Sequence, residues 1–193
     1  MDAQVLNVYA PYTLVRSATE NAATAVWLLE PRKRSERLRR CLKLAHHEAR
    51  EAAVEVHELI RKLFPAEALD GKRTAQERID EIRTLAVQLS LDPNDILGRL
   101  SYEKVVRTAG EAIGLGGDLS AFMWRLCSGF AHGRYWASFS LLDRHVVASQ
   151  GNVLNVRLSG DVEKLLMVAG FPFVFTKRAL ELYEQRRRSP YPG

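Results

Sequence analysis

Residues 32–64 read RKRSERLRRCLKLAHHEAREAAVEVHELIRKLF. Apolar residues recur here at alternating spacings of four and three, at Leu38, Leu42, Ala45, Ala49, Ala52, Val56, Leu59 and Leu63. A seven-residue repeat kept for more than three cycles predicts one helix about 50 Å long. Such a helix packs nearly antiparallel against a partner helix. The segment therefore indicates a helical bundle.

Most of the remaining chain also has helical periodicity. We predict further helices over residues 11–29, 74–89, 101–113, 118–130 and 161–187. Thr74 and Glu77 have the spacing of a capping box, and we interpret residues 92–95 as a break between helices. Gly170 and Pro172 are expected to kink or break the last helix.

One segment departs from the helical pattern. Two β-rich stretches lie between residues 145 and 158, and Gly151 in the stretch that joins them is a turn signal. The sequence therefore predicts an all-α helical bundle with a long central helix and a small β-hairpin near residues 145–158.

The composition is that of an ordinary globular protein. The chain has 193 residues, of which 47% are hydrophobic and 26% charged, and this fits one domain with a substantial core. We expect a single helical domain over residues 1–188 and a disordered tail over residues 189–193. The sequence shows neither signal-peptide pattern nor membrane-spanning stretch, so we expect a cytoplasmic protein.

Several chemistries have no support in the sequence. Cys41 and Cys127 are too few for a disulfide scaffold or a cysteine zinc site. Phosphate-loop, dinucleotide-binding, zinc-protease and di-iron motifs are absent. We interpret the acidic residues beside His47 as a solvent-facing stripe with pairs such as His47 and Glu51, and His46 as a surface or internally satisfied residue. We predict no metal and no cofactor.

Basic residues are concentrated at the start of the long segment. The net charge is +5, and seven Lys or Arg residues lie within residues 32–43, opposed only by Glu36. Such a cluster favours a polyanion by counterion release. We name Arg34, Arg37, Arg39 and Arg40 as candidate RNA-binding residues; the alternative is a solvated helix face.

The segment Trp124–Gly133 reads WRLCSGFAHG and contains the residues best suited to catalysis. Arg125 and His132 are seven residues apart, so both project from one face of a helix, with Ser128 between them. If the helix continues, Tyr135 extends this stripe. A cation, a hydroxyl and an imidazole need partners, because burying them unpaired costs several kcal/mol.

This pattern resembles the HEPN superfamily, whose members are all-α bundles with an R-x4-6-H motif near the end of a helix. Arg125 and His132 match it with six intervening residues. Leu126 stands where active members often have Asn, Asp or His. The segments 14–20 and 128–133 are also similar to uncharacterised actinobacterial proteins, a similarity that implies no function.

The HEPN resemblance implies metal-independent RNA cleavage at a homodimer interface, in a protein of the toxin or phage-defence kind. His132 would move a proton, Arg125 would hold the phosphate, and Ser128 would orient either group. A homodimer is therefore expected, as the long heptad also suggests, and RNA and an antitoxin or another protein are the expected partners.

Two alternatives accompany this hypothesis. Arg125 and His132 could instead bridge helices by hydrogen bonds without catalysis, in a helical binding or scaffold protein. Arg16 and Glu20, one turn apart, are expected to form a partly buried ion pair, or else to lie beside His132 as supporting residues together with Tyr135.

Overall fold

The computed structural model describes residues 8–63 and 74–187, and the side chains of residues 53–63 are not included in that description. These residues are mostly helical, with one two-stranded antiparallel hairpin, so the predicted fold class is confirmed. No helix within these ranges is both long enough and apolar enough to cross a membrane.

The elements follow the sequence predictions closely, with two additional short helices. In chain order they are α1 (Ala10–Leu29), α2 (Arg34–Leu63), α3 (Ala75–Gln88), α4 (Pro93–Leu97), α5 (Tyr102–Ala112), α6 (Gly117–Ala131), α7 (Tyr135–Leu141), β1 (Asp143–Gln150), β2 (Val153–Ser159) and α8 (Val162–Arg186). The predicted tail at residues 189–193 lies outside the described residues.

The chain divides into two compact units. The terminal unit comprises Met1–Glu30 and Tyr102–Gly193, and the inserted unit comprises Pro31–Ser101, which lies between α1 and α5 in the sequence. Each unit has its own apolar core. The expectation of a single domain over residues 1–188 stays a prediction.

In the terminal unit, α1 packs against α5, α6 and α8. Tyr12 stacks on Phe130 of α6 with ring centroids 4.1 Å apart, and both side chains are buried. The end of α1 is closed by Arg186, whose guanidinium donates to the carbonyls of Leu29 and Glu30 at 3.1 and 3.2 Å. This satisfies two carbonyls that a helix end leaves without an intrahelical donor.

The last helix is continuous, so the predicted break does not occur. Gly170 and Pro172 both lie inside α8, and Pro172 is buried. Proline removes one backbone hydrogen bond, but Val168 and Phe175 on either side are buried. Packing of both flanking turns therefore holds the helix together.

The hairpin pairs Asp143 with Ser159 at its base and Gln150 with Val153 at its turn, with a bulge between Val146 and Ala148. Gly151 has φ +57° in the turn, a conformation that glycine adopts without steric cost.

The inserted unit joins α2 to α3 and α4. Its core contains Leu42 and Ala49 of the heptad, with Ile82, Ala86 and Ile96 supplied by α3 and α4. These heptad residues therefore pack against helices of the same chain. The heptad positions after Ala52 lie outside the residues whose side chains are described.

The start of α3 has a predicted cap, whereas the start of α4 was not predicted. The capping box is confirmed, because Glu77 N–H donates to Thr74 Oγ1 and Thr74 N–H donates to a Glu77 carboxylate oxygen. The predicted break after the third helix is confirmed, since α3 ends at Gln88, but the short helix α4 that begins at Pro93 was not predicted. Asp92 caps it, accepting from Asn94 N–H at 2.9 Å, and Pro93 occupies the first turn.

Candidate functional site

The candidate motif lies at the C-terminal end of α6. His132 is the C-cap residue, and Gly133 follows with φ +61°. Gly133 N–H donates to Phe130 O at 3.1 Å, and Arg134 N–H donates to Gly129 O at 2.8 Å. These two bonds form the glycine-terminated end that closes many helices.

Because α6 stops there, the predicted extension of its stripe to Tyr135 is wrong. The chain turns and starts a new helix, α7, in which Tyr135 is the first residue. Tyr135 is 77% exposed and makes an edge contact with Phe139, with ring centroids 6.3 Å apart.

Arg125 and His132 both lie on the exposed side of the α6 segment. Neither side chain makes a hydrogen bond or ion pair with any residue in the described part of the chain, so the helix-bridging alternative has no such contact there. The seven-residue spacing directs them about 20° apart around the helix. Ser128, between them, is half-buried. The guanidinium and the imidazole are therefore open to solvent on one side of the helix.

The opposite side of α6 forms part of the core of the terminal unit. Leu126 is 2% exposed and Cys127 is 1% exposed. A polar side chain directly after Arg125 would enter this core, which explains why leucine stands there. Burial raises the pKa of the Cys127 thiol to about 12. Cys127 is therefore protonated at neutral pH and is no nucleophile.

Apolar side chains continue the exposed side of α6 away from His132. Phe122 is 55% exposed and Leu119 is 51% exposed, about one and two turns before Arg125. Neither residue was predicted to belong to the site. Phe122 projects about 60° from Arg125 around the helix, and Leu119 projects about 120° from it. An exposed apolar strip therefore begins beside Arg125, at Phe122.

Arg16 and Glu20 form the expected partly buried ion pair, with Nη2 and Oε2 3.2 Å apart. Both contact Trp124: the indole N–H donates to Glu20 at 3.0 Å, and the Arg16 guanidinium lies 5.6 Å from the ring centroid. Trp124 precedes His132 by eight residues, or about 12 Å of helix. The contacts of Arg16 and Glu20 therefore support the start of the motif and do not bring them to His132.

Three of the four candidate RNA-binding residues are engaged within the inserted unit. Arg39 and Arg40 both donate to Glu36, at 2.7 and 2.8 Å. The Arg37 guanidinium donates to the carbonyls of Pro31 and Arg32, both at 2.8 Å. Arg34 is exposed and has no partner among the described residues. Folding therefore engages three of these guanidiniums in bonds within the unit and leaves Arg34 exposed.

No cluster of three or more His, Cys, Asp or Glu side chains that could hold a metal ion occurs within the described ranges. No family model, no curated protein and no solved structure matches this chain.

Proposed function

We propose that this protein is a HEPN-like, metal-independent endoribonuclease of the toxin or phage-defence kind. One observation carries the proposal: Arg125 and His132 are exposed on one side of α6 and have no partner among the described residues. With no bond to the described residues, these two side chains are available to bind a substrate and act on it.

The two side chains have complementary roles in RNA cleavage. The His132 imidazole removes the proton from a ribose 2′-hydroxyl, whose oxygen forms a bond to the adjacent phosphorus. The bond from phosphorus to the 5′-oxygen breaks, and the leaving 5′-oxygen takes a proton from water. The Arg125 guanidinium binds the phosphate oxygens bidentately as their negative charge increases. Ser128 lies between them and supplies a hydroxyl that can orient either group. The products are a 2′,3′-cyclic phosphate and a 5′-hydroxyl.

The exposed face of α6 also supports a homodimer. Phe122 is apolar and exposed one turn before Arg125, and a two-fold interface through this face would bury it against its copy. It would also bring two Arg125–His132 pairs together.

Light scattering over a dilution series measures the oligomeric state. We expect Phe122→Glu to give a monomer and Leu180→Glu on α8 to leave the dimer intact; a wild-type monomer at micromolar concentration contradicts the interface.

Cleavage of single-stranded RNA in EDTA tests the activity. We expect His132→Ala and Arg125→Ala each to reduce the rate by at least about 100-fold, the usual contribution of a positioned acid–base group. The matched controls are His145→Ala on the hairpin and Arg178→Ala on α8, which should cleave normally. Toxicity on expression should also disappear with Arg125→Ala. Cleavage that is unchanged in His132→Ala rules out the proposed site.

A second candidate function is a non-catalytic helical binding or scaffold protein. A run of exposed apolar side chains along α8 favours it, namely Val162, Leu166, Met167, Phe173 and Leu180. Large exposed apolar patches mark interaction sites. This function predicts no RNA cleavage.

RNA affinity tests the basic run in either function. We expect salt-sensitive binding that falls most with Arg34→Gln, because Arg39 and Arg40 already share Glu36. Glu36→Gln should increase affinity by releasing those two arginines. If RNA affinity changes neither with salt nor with these replacements, the basic run is only a solvated helix face.

A further inference from the structure

The inserted unit contains a cavity of about 270 Å³. It is lined by one stretch of α2 and by the two residues that follow α4, namely His46, His47, Arg50, Glu51, Gly98 and Arg99. None of these residues belongs to the motif of α6 or to the candidate RNA-binding arginines. The lining is polar and charged, which does not suit an apolar ligand.

Positive charge dominates this cavity. Arg50 and Arg99 have no ion pair or hydrogen bond to their side chains from the residues that the structure describes. Among the described lining residues, Glu51 is the one acidic residue; its side chain is 69% exposed and its carboxylate lies 4.0 Å from His47 Nδ1. Within the described part of the chain, two guanidiniums and one carboxylate therefore line the cavity.

His46 is the buried member of the lining. It is 6% exposed, and its ring makes no hydrogen bond to any residue in the described ranges. Burial lowers the pKa of His46, and the nearby charges of Arg50, Arg83 and His47 lower it further. Because His46 lines the cavity, a bound anion would give its imidazole a hydrogen-bond partner and offset the neighbouring positive charge.

We propose that this cavity binds a phosphate group, either free phosphate or the terminal phosphate of a small phosphorylated molecule. A phosphate dianion accepts several hydrogen bonds at once, and guanidinium groups match its oxygens bidentately. The volume lies just below the usual range for small-molecule pockets, so it suits the phosphate group and excludes the bulk of a nucleotide. His46 lies at the base of the site, and Arg50 and Arg99 bind the outer oxygens.

Calorimetric titration with inorganic phosphate in chloride buffer tests the proposal. We expect saturable binding that weakens roughly tenfold in Arg50→Gln and in Arg99→Gln, as for loss of one charge-assisted contact. Glu51→Gln should bind more tightly, because it removes the opposing negative charge. Arg78→Gln, an exposed arginine of α3 outside the cavity, is the matched control and should bind like wild type. His132→Ala should also bind normally, which separates this site from the proposed nuclease activity.

The imidazole of His46 provides a second readout, by nuclear magnetic resonance. Charged or titratable groups near it are His47, Arg50 and Glu51 on α2, Arg83 on α3, and Arg99 after α4. Added phosphate should raise the pKa of His46, because an anion stabilises the imidazolium form. His46→Gln, with its helical content checked by circular dichroism, should bind phosphate more weakly.

Three outcomes overturn the proposal. The first is an absence of saturable binding at millimolar phosphate. The second is a loss in Arg78→Gln equal to that in Arg50→Gln, which would indicate only a general effect of net charge. The third is a competition result in which a phosphorylated sugar does not displace phosphate from the cavity but a short single-stranded RNA does. That result would assign the cavity to a polynucleotide.

Discussion

Gly129 sets how closely α7 approaches α6. A Cβ atom at this position would lie 2.6 Å from Ala137 Cβ and 3.0 Å from Trp136 Cζ2, both closer than ordinary contact. Gly129 is buried, next to Ser128 of the candidate site. The absence of a side chain at Gly129 therefore lets the Trp136 ring pack directly on the helix that carries Arg125 and His132.

Substitution of two helical glycines with alanine should have opposite effects on stability. Gly129→Ala should lower the free energy of unfolding by about 1–3 kcal/mol, because the new methyl group overpacks the contact with α7. Gly170→Ala should raise it by about 0.5–1 kcal/mol, because Gly170 lies in α8 with nothing within 4 Å of the new atom. Urea unfolding followed by circular dichroism measures both. Equal changes in the two variants would contradict this packing.

The first turns of α2 are organised around one carboxylate. Hydrogen bonds from Arg39 and Arg40 lower the pKa of Glu36 to about 2, against an opposing effect of burial. Two of the four arginines that suggested an RNA-binding surface are thereby neutralised in part by a residue of their own helix. The helix still exposes Arg34, so its charge is redistributed rather than lost.

This arrangement makes the stability of the chain sensitive to acid. The pKa of Glu36 is lower in the folded chain than its ordinary 4.5, so the unfolded chain binds more protons between these values. The stabilisation is complete above about pH 4.5 and is lost as the pH falls towards 2. The difference in unfolding free energy between wild type and Glu36→Gln should therefore shrink over this range.

Urea unfolding at several pH values measures that difference. Asp80→Asn serves as a control, since Asp80 is exposed and has one arginine at 3.6 Å, a kind of pair that contributes little. A difference between wild type and Glu36→Gln that stays constant from pH 5 to about pH 2 would show that the arginine pairs do not hold the carboxylate.

The two cysteines report on the two units of the chain. Cys41 lies in the inserted unit and is exposed, whereas Cys127 lies in the core of the terminal unit. Each core is apolar and contains residues distant in sequence, such as Tyr12 and Val168 around Cys127. Thiol reactivity can therefore show whether the chain unfolds as one cooperative domain.

A thiol reagent should label one cysteine, Cys41, in the native protein and both in denaturant. If the single-domain prediction is correct, Cys127 becomes reactive over the same urea range in which the helical signal is lost. Helical signal that falls in two steps, with Cys127 reacting in only one of them, would contradict a single cooperative domain. Rapid labelling of Cys127 in the native protein would contradict its burial.

Features that depend on neighbours in the sequence were predicted well. The capping box of Thr74 and Glu77, the long helix and the hairpin turn at Gly151 all follow from local periodicity and backbone preference. The missed α4 also had a local signal, since Asp92 and Pro93 are typical of a helix start. The short helix α4 was therefore predictable from the sequence.

Other features depend on contacts between distant segments, and sequence periodicity does not specify them. The exposure of Arg125 and His132 follows from the packing of the opposite face of α6, and His46 is buried although we interpreted it as a surface or internally satisfied residue. The cavity likewise forms because residues of α2 and Arg99, which are distant in sequence, line the same space. The order of residues was enough to establish helices, caps and a hairpin, because each is stabilised within a few residues. Packing between remote segments determined which side chains are buried, paired or open to a ligand, because burial depends on partners that local pattern does not identify.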